Sequence, residues 1–395
     1  MRRSIGWVSV FTTVVLASGC GGNFKLPTET PGGAVPGAGT YSHKATWEGF
    51  TGVQDLLINE GRGDEFFVLF NNGGSGGPSV PRGGVAQFQR TAPIVAPLSR
   101  FVPPTGLFNP VAIAASGRNL FVLDQGDSCQ AKFDARRNTC EPDADTTNAT
   151  GHPFRSQIFD YTATWRVREY TKSGGDTVST FTDSTVILPY GIAVDGTDRI
   201  YVAGLTVVLD TSQTNASIRT RKFASRVYRY VRGPKYPGIR DVNMPGTASW
   251  HRDTTWFAVD GTGASSVSDP RGIRWSLYDQ NTLMIADRGN NEVKGISTSA
   301  ISVPIVLADG QTTGANFNHP EAVAVDLNGS FYVIDRDSRR VLRYDRTGSD
   351  VLRVDTTPNA NGETLLDPVG IAVNDTLVYV ADRARRQIVI FRRTQ

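Results

Sequence analysis

A chain of 395 residues with 39% hydrophobic residues, 41 glycines and 21 prolines suits a strand-and-turn protein with many tight connections. Its net charge of +3, with both signs interspersed, gives no argument for a nucleic-acid partner or an anionic membrane surface. The length admits two ordinary domains, a guide that repeat folds exceed.

In chain order, the first element is a targeting segment. Arg2 and Arg3 form a positive start, residues 8–16 an apolar stretch, and Ala17, Ser18 and Gly19 precede Cys20. The apolar stretch is too short to remain as a membrane span. Small residues directly before a cysteine resemble the lipobox of a bacterial lipoprotein, although Leu16 sits one place further from Cys20 than in the commonest pattern. The resemblance implies a signal peptide over 1–19 and lipidation at Cys20, with several acyl tails for stable anchoring. The alternative is plain secretion in which Cys20 plays no part. Residues 20–40 are Gly/Pro-rich and read as a flexible tether. Export implies an oxidising compartment, so Cys129 and Cys140, inside one loop, are expected to form a disulfide. Closing so short a loop is worth ~3 kcal/mol if unstrained.

From residue 105 onward one phrase recurs: Pro, one or two small residues, an apolar strand, then a second strand ending in Asp. It reads Pro189-Tyr190-Gly191-Ile192-Ala193-Val194-Asp195, with Ile200-Tyr201-Val202-Ala203 following. Further copies begin at Pro270, Pro320 and Pro368, with second strands ending at Asp287, Asp335 and Asp382; a divergent copy runs from Pro110 to Asp124. Third strands carry a basic residue and an aromatic (226–230, 340–344), or end on Phe391 (387–391). Weaker fourth runs lie at 178–181, 255–259, 303–307 and 351–354. Four short strands per unit, repeating about every 50 residues in the later copies and about every 80 in the earlier ones, mean one propeller blade each.

Five blades are explicit, and strand-like runs at 53–58, 65–70 and 85–88 supply a sixth, degenerate one. The chain stops directly after a third strand, which leaves a blade without its outer strand. The segment Lys44-Ala45-Thr46-Trp47 is placed to fill that gap, so the expected fold is an all-β, six-bladed propeller of four-stranded antiparallel blades over 41–395, closed by an N-terminal strand. The Pro-x-Gly-Ile-Ala-Val-Asp and Tyr-Val-Ala-Asp phrases resemble those of the NHL-repeat propellers, over most of 105–395 and weakly over 45–104. That resemblance implies the fold and leaves activity open, since such propellers include lyases, lactonase-like enzymes, ligand binders and scaffolds.

Strand order places the second-to-third loops and the loops carrying the repeat prolines on one face. Three enlarged segments, 71–84, 125–164 and 204–225, are expected there as loops of a recognition surface. On the same face three blades read Asp-Arg: Asp287-Arg288, Asp335-Arg336 and Asp382-Arg383. The Asp suits a turn-capping role. Two readings stand for the arginines: guanidinium groups offered to a carboxylate, phosphate or acidic glycan, or Arg–Asp pairs between adjacent blades. Of His43, His152, His251 and His319, His319 alone precedes a repeat proline. The likeness to an NHL-type peptidyl-amidoglycolate lyase implies several histidines around a central metal, and that ring is missing; streptogramin-lyase-like activity needs fewer ligands. Residues 141–148 alternate oxygen ligands that Ca²⁺ would take but lack the EF-hand glycine and terminal glutamate; a solvated loop is the favoured reading, and no cofactor or metal site is expected.

The expectation is therefore an outer-membrane lipoprotein, facing either the periplasm or the exterior. It binds or scaffolds an envelope protein, peptide or glycan through Arg288, Arg336, Arg383 and His319. The alternatives are a lyase or lactonase-like enzyme with a metal in the channel, and a subunit of a larger envelope assembly.

Overall fold

The computed structural model describes residues 40–59, 65–71, 83–89, 99–100, 107–117, 119–125, 165–172, 177–183, 185–209, 221–232, 250–299, 304–309, 316–349, 351–355, 358, 362–374 and 376–394. All of them lie in the compact unit Pro36–Gln395. Cys20, Cys129, Cys140, His152 and the acidic stretch 141–148 lie outside the described residues.

The first strand is β1 (Tyr41–Glu48). Blade one then comprises β2 (Val53–Asn59), β3 (Glu65–Asn71), β4 (Gly83–Gln89) and β5 (Ser99–Arg100). Blade two comprises β6 (Pro110–Ala115), β7 (Asn119–Asp124), β8 (Arg166–Thr171) and β9 (Thr177–Phe181). Blade three holds β10 (Val186–Val194), β11 (Ile200–Leu209), β12 (Arg221–Arg232) and β13 (Trp250–Ala258). Blade four holds β14 (Pro270–Trp275), β15 (Thr282–Asp287), β16 (Glu292–Ser297) and β17 (Ile305–Ala308). Blade five holds β18 (Pro320–Val325), β19 (Phe331–Asp335), β20 (Arg340–Tyr344) and β21 (Val351–Arg353). Blade six has β22 (Pro368–Val373), β23 (Leu377–Asp382) and β24 (Gln387–Arg393), and its fourth strand is β1. Every pairing within a blade is antiparallel. Each innermost strand packs on the innermost strands of the two neighbouring blades, β2 on both β6 and β22, so the six form a ring.

The core lies between blades, which is why the inner strands read as unbroken apolar runs rather than alternating ones. Along β23, Val378 and Val380 face blade five and pack with Tyr332, Ile334 and Val341. Tyr379 and Ala381 point the other way, onto Val53, Leu56 and Phe66 of blade one. At the repeat glycine the innermost backbones come too close for a side chain. A Cβ on Gly272 would sit 2.7 Å from Cα of Ala322, and one on Gly370 would sit 2.8 Å from Cα of Asp55. The glycine of the repeat phrase is thus an inter-blade contact.

β1 runs along β24 from the Tyr41–Arg393 pair to the Glu48–Gln387 pair. Its Trp47 is buried against Phe66 (5.9 Å, edge-on) and Tyr379 (5.7 Å), in the seam between blades six and one. The Tyr41 hydroxyl lies 3.1 Å from that of Tyr332 in blade five.

The expected loop over 204–225 is corrected by the structure. β11 and β12 continue as a paired ribbon through Gly204↔Arg226 to Leu209↔Arg221, and β10 begins early, pairing Val186 with Thr206. The physical reason is local: opposite its repeat proline blade three has Gly204 where blades two, four, five and six have Asp, so no carboxylate holds that corner and the strands run on.

Candidate functional site: the mouth of the ring

The corner aspartates set up the site. Asp124, Asp287, Asp335 and Asp382 end the second strands opposite the repeat prolines and are fully buried. Each accepts backbone N–H bonds from the residues preceding the proline of its own blade. Asp124 takes Asn109 at 2.8 Å, Asp287 takes Ser268 at 2.7 Å, Asp335 takes Asn318 at 2.7 Å and Asp382 takes Leu366 at 2.8 Å. Third-strand cations meet some of the same carboxylates: Lys294 Nζ lies 2.6 Å from Asp287, and Arg340 2.8 Å from Asp335. Burial pushes the Asp287 carboxyl up, and the Lys294 bond opposes that. The capping role holds, and it aims the residues before each proline and after each Asp at the channel mouth.

Those residues join hands around the mouth. Arg271 makes two 3.0 Å contacts to Asp269 and lies over the Tyr190 ring, 3.7 Å from its centroid. Asp269 also meets Arg288 Nη1 at 3.3 Å, and Arg288 Nε lies 3.8 Å from Glu321. Glu321 reaches Arg336 Nη1 at 3.5 Å, and Arg336 Nε donates to Asp367 at 2.9 Å. Asp367 then receives Arg383 through Nε at 2.9 Å and Nη2 at 2.8 Å, and Arg383 Nη1 donates to Gln54 Oε1 at 3.4 Å. The other side of the mouth is an arc of amides. Asn71 Nδ2 donates to Asn109 (2.6 Å), Asn109 Nδ2 to Gln125 (2.9 Å), and Gln125 Nε2 to the Pro189 carbonyl (2.6 Å). Each junction between consecutive blades therefore carries a polar contact; at the blade three–four junction the Asp269 N–H donates to Ser225 Oγ at 2.9 Å, and Arg271 lies over Tyr190.

The arginine triad Arg288, Arg336 and Arg383 is thus brought to one mouth, and each guanidinium is paired with carboxylates. Arg383 and Arg336 hold the Asp367 carboxyl below the ordinary aspartate value, although burial alone would raise it. Glu321 and Asp367 keep Arg336 more firmly protonated, against the opposing effect of burial. His319 is not part of this chain of contacts: its ring Nδ1 turns to Asp337 at 2.5 Å, and its backbone N–H donates to Asn291. His251 is buried on the outermost strand of blade three, and His43 sits on β1 beside Thr46.

One layer below, an ion pair crosses the channel. Blades one and four are opposite in the ring, yet Arg274 Nη2 of β14 lies 2.6 Å from Asp55 Oδ1 of β2. Asp55 also accepts Leu56 N–H at 2.9 Å and Ile113 N–H of blade two at 3.1 Å. The two side chains are 9% and 16% exposed. Asp55 stands at the position of the repeat glycine, so the first blade departs from the phrase where its side chain spans the channel. Sequence reading missed Asp55, Arg274, Asp269, Arg271, Glu321 and Asp367. The signal for two of them was present: the residue before the proline and the residue after the Asp are complementary in blades four (Asp269, Arg288) and six (Asp367, Arg383). Among the described residues no three His, Cys, Asp or Glu side chains converge as a metal-ligand set.

No family model matches the chain, and no curated protein matches it. Solved structures do. An auxiliary nutrient binding protein from Bacteroides ovatus is similar over 90% of this chain and 78% of that chain, at 12% identity and a TM-score of 0.51. A second auxiliary nutrient binding protein, from Bacteroides thetaiotaomicron, covers 87% and 69% at 11% identity and 0.49. A gluconolactonase from Xanthomonas campestris covers 88% of each chain at 11% identity and 0.48. The likeness is one of fold. The chain is a six-bladed β-propeller.

Proposed function

We propose that this propeller, of the NHL type, is a binding or scaffolding module that engages an envelope protein, peptide or glycan on its mouth face, and that Cys20 anchors it by lipid to the outer membrane. The observation that carries the reading is the mouth itself: four guanidinium groups and three carboxylates fixed in alternation, above a channel crossed by Asp55 and Arg274. A layer of side chains paired from blade to blade offers a preorganised polar surface to a macromolecule rather than a deep hollow to a small substrate. The strands also support it. The segments 72–82, 126–164 and 210–220 all depart from the ends of second strands, the same end that carries Arg288, Arg336 and Arg383.

The test is capture of partners from detergent-solubilised envelope by the full-length protein and by a variant with Arg288, Arg336 and Arg383 all changed to Ala. The partners held by the parent protein should be lost from the variant while its melt stays cooperative. Retention of every partner overturns the mouth-face reading, and turnover of a lactone or a propeller-lyase substrate by the parent protein would replace it with the enzyme reading. For the anchor, Cys20→Ala should move the protein from the membrane to the soluble fraction; unchanged partitioning overturns it.

A further inference from the structure

The charges around the mouth do not cancel. Four arginines share three carboxylates. Arg288 sits between Asp269 and Glu321, and Arg336 sits between Glu321 and Asp367. The two terminal arginines have one carboxylate each. At one end Arg271 grips Asp269 with two contacts and covers the Tyr190 ring, which supplies a second favourable contact for a guanidinium. At the other end, among the described residues, Arg383 has only the neutral Gln54 amide beyond Asp367. Side-chain exposure rises in the same direction, from 20% at Arg271 through 26% at Arg288 and Arg336 to 36% at Arg383.

The turn that follows Arg383 adds to the imbalance. In blade four the corresponding turn is Arg288-Gly289-Asn290-Asn291, and in blade five Asp337 accompanies Arg336 and Arg339. In blade six the turn reads Arg383-Ala384-Arg385-Arg386. Arg385 is paired with Glu363 at 2.7 Å, whereas Arg386 is exposed and held at a φ of 56°. The Arg386 carbonyl accepts the Phe50 N–H of the first blade's approach at 2.7 Å, which fixes the turn at the seam.

We infer that the seam between blades six and one, at Arg383, Arg386 and Gln54, docks an acidic segment of another polypeptide, whose carboxylates complete the alternation of charge around the mouth. The inference rests on the mouth-face reading above and narrows it to one seam and one partner chemistry. A planar guanidinium fork matches a carboxylate in two-point contact, and the Gln54 amide, already oriented by Arg383, supplies a neutral donor beside it. A polypeptide is favoured over an acidic glycan because two aromatic rings near the mouth are already occupied. Tyr190 carries Arg271 at 3.7 Å and Phe108 carries Arg166 at 5.3 Å, in the position a sugar ring would take.

The experiment is fluorescence anisotropy of a labelled oligoglutamate peptide, and of an oligogalacturonate of equal length, titrated with the full-length protein in detergent. The double variant Arg383→Gln/Arg386→Gln is compared with Arg346→Gln/Arg392→Gln. The second removes the same net charge from the opposite face, where β20 and β24 end. Oligoglutamate should bind the parent protein with an affinity that falls as salt rises, and the seam variant should weaken it about tenfold, as expected for losing two partly exposed ion pairs. The opposite-face variant should change it by less than about twofold. Equal losses in both variants, no oligoglutamate binding, or tighter binding of oligogalacturonate would each overturn the inference. Those results leave the mouth-face reading standing if the triple alanine variant still loses its envelope partners, and both fall together only if it does not.

Discussion

The pair that crosses the channel offers the sharpest physical test. Asp55 receives three donors: the guanidinium of Arg274 at 2.6 Å, and the N–H groups of Leu56 and Ile113 at 2.9 and 3.1 Å. Both side chains are largely out of water, at 9% and 16% exposure. Removing one partner leaves the other charge buried without compensation, a loss of about 3–5 kcal/mol for a buried pair. Asp55→Ala also orphans two backbone N–H groups, so its cost belongs at the upper end of that range. Arg274→Met keeps the aliphatic stem and removes the charge, and belongs at the lower end. For a chain of this size each kcal/mol corresponds to about 1.5–3 °C in melting temperature, so each single variant should melt roughly 5–12 °C lower. The double variant strands no charge and should recover part of the loss, giving a coupling energy of at least about 1.5 kcal/mol. Thermal and urea melts followed by tryptophan fluorescence measure all three. Singles that melt within 2 °C of the parent (about 1 kcal/mol), or a double variant whose loss equals the sum of the singles, would refute the assignment of the pair as a cross-ring clasp.

Two further outcomes follow from the same packing. Deleting residues 41–48 removes the strand paired along β24 and uncovers the Trp47 and Tyr41 sites, so the melting temperature should drop by at least several degrees; an unchanged melt means the strand does not secure the ring. The second concerns acid. Asp367 has its pKa lowered in the folded state, so its contribution to stability is complete above the ordinary aspartate value of 3.8 and is lost as pH falls through the lower folded value. Asp195 and Asp253 act with the same sign, while Asp287 and Asp326, raised by burial, act with the opposite one. The difference in melting temperature between the parent and Asp367→Asn should therefore be constant from pH 7 to 5 and shrink below about pH 4. A difference that stays constant down to pH 3 contradicts the Arg383–Asp367–Arg336 assignment.

The blade plan was legible because each blade must bury both faces of its inner strands and turn the same corner, and those demands repeat in the chain. Pro at the start of the inner strand and Asp at the end of the second are visible by eye in blades four to six. They mark one physical object, the carboxylate that holds the loop before the proline. Blade three shows where that reading stopped: 204–225 read as a loop, whereas strands that continue to Leu209 and from Arg221 depend on pairing that periodicity does not encode. The mouth was half legible. Arg288, Arg336 and Arg383 were found by recurrence, but their carboxylate partners come from two different positions (before the proline in blades four and six, after it in blade five), so no single column reveals them. Asp55 and Arg274 were invisible for a stronger reason. Contact between diametrically opposite blades has no counterpart in a repeat whose units meet only their neighbours.

The seams also differ in when they can form. Five of them join stretches of chain that are neighbours in synthesis, but the sixth brings Gln54 to Arg383, 329 residues apart, and β1 to β24. Without its last strand the ring would stay open, with two apolar flanks uncovered, one of them carrying Phe66 and Leu56. Asp55 can reach Arg274 earlier, 219 residues along, once the fourth blade exists. Formed at that stage, the contact would fix the spacing of blades one and four before the ends meet and shorten the search for the final closure. A nascent chain lacking it would present those flanks for longer, and its first symptom would be aggregation during biogenesis rather than loss of binding by the finished protein.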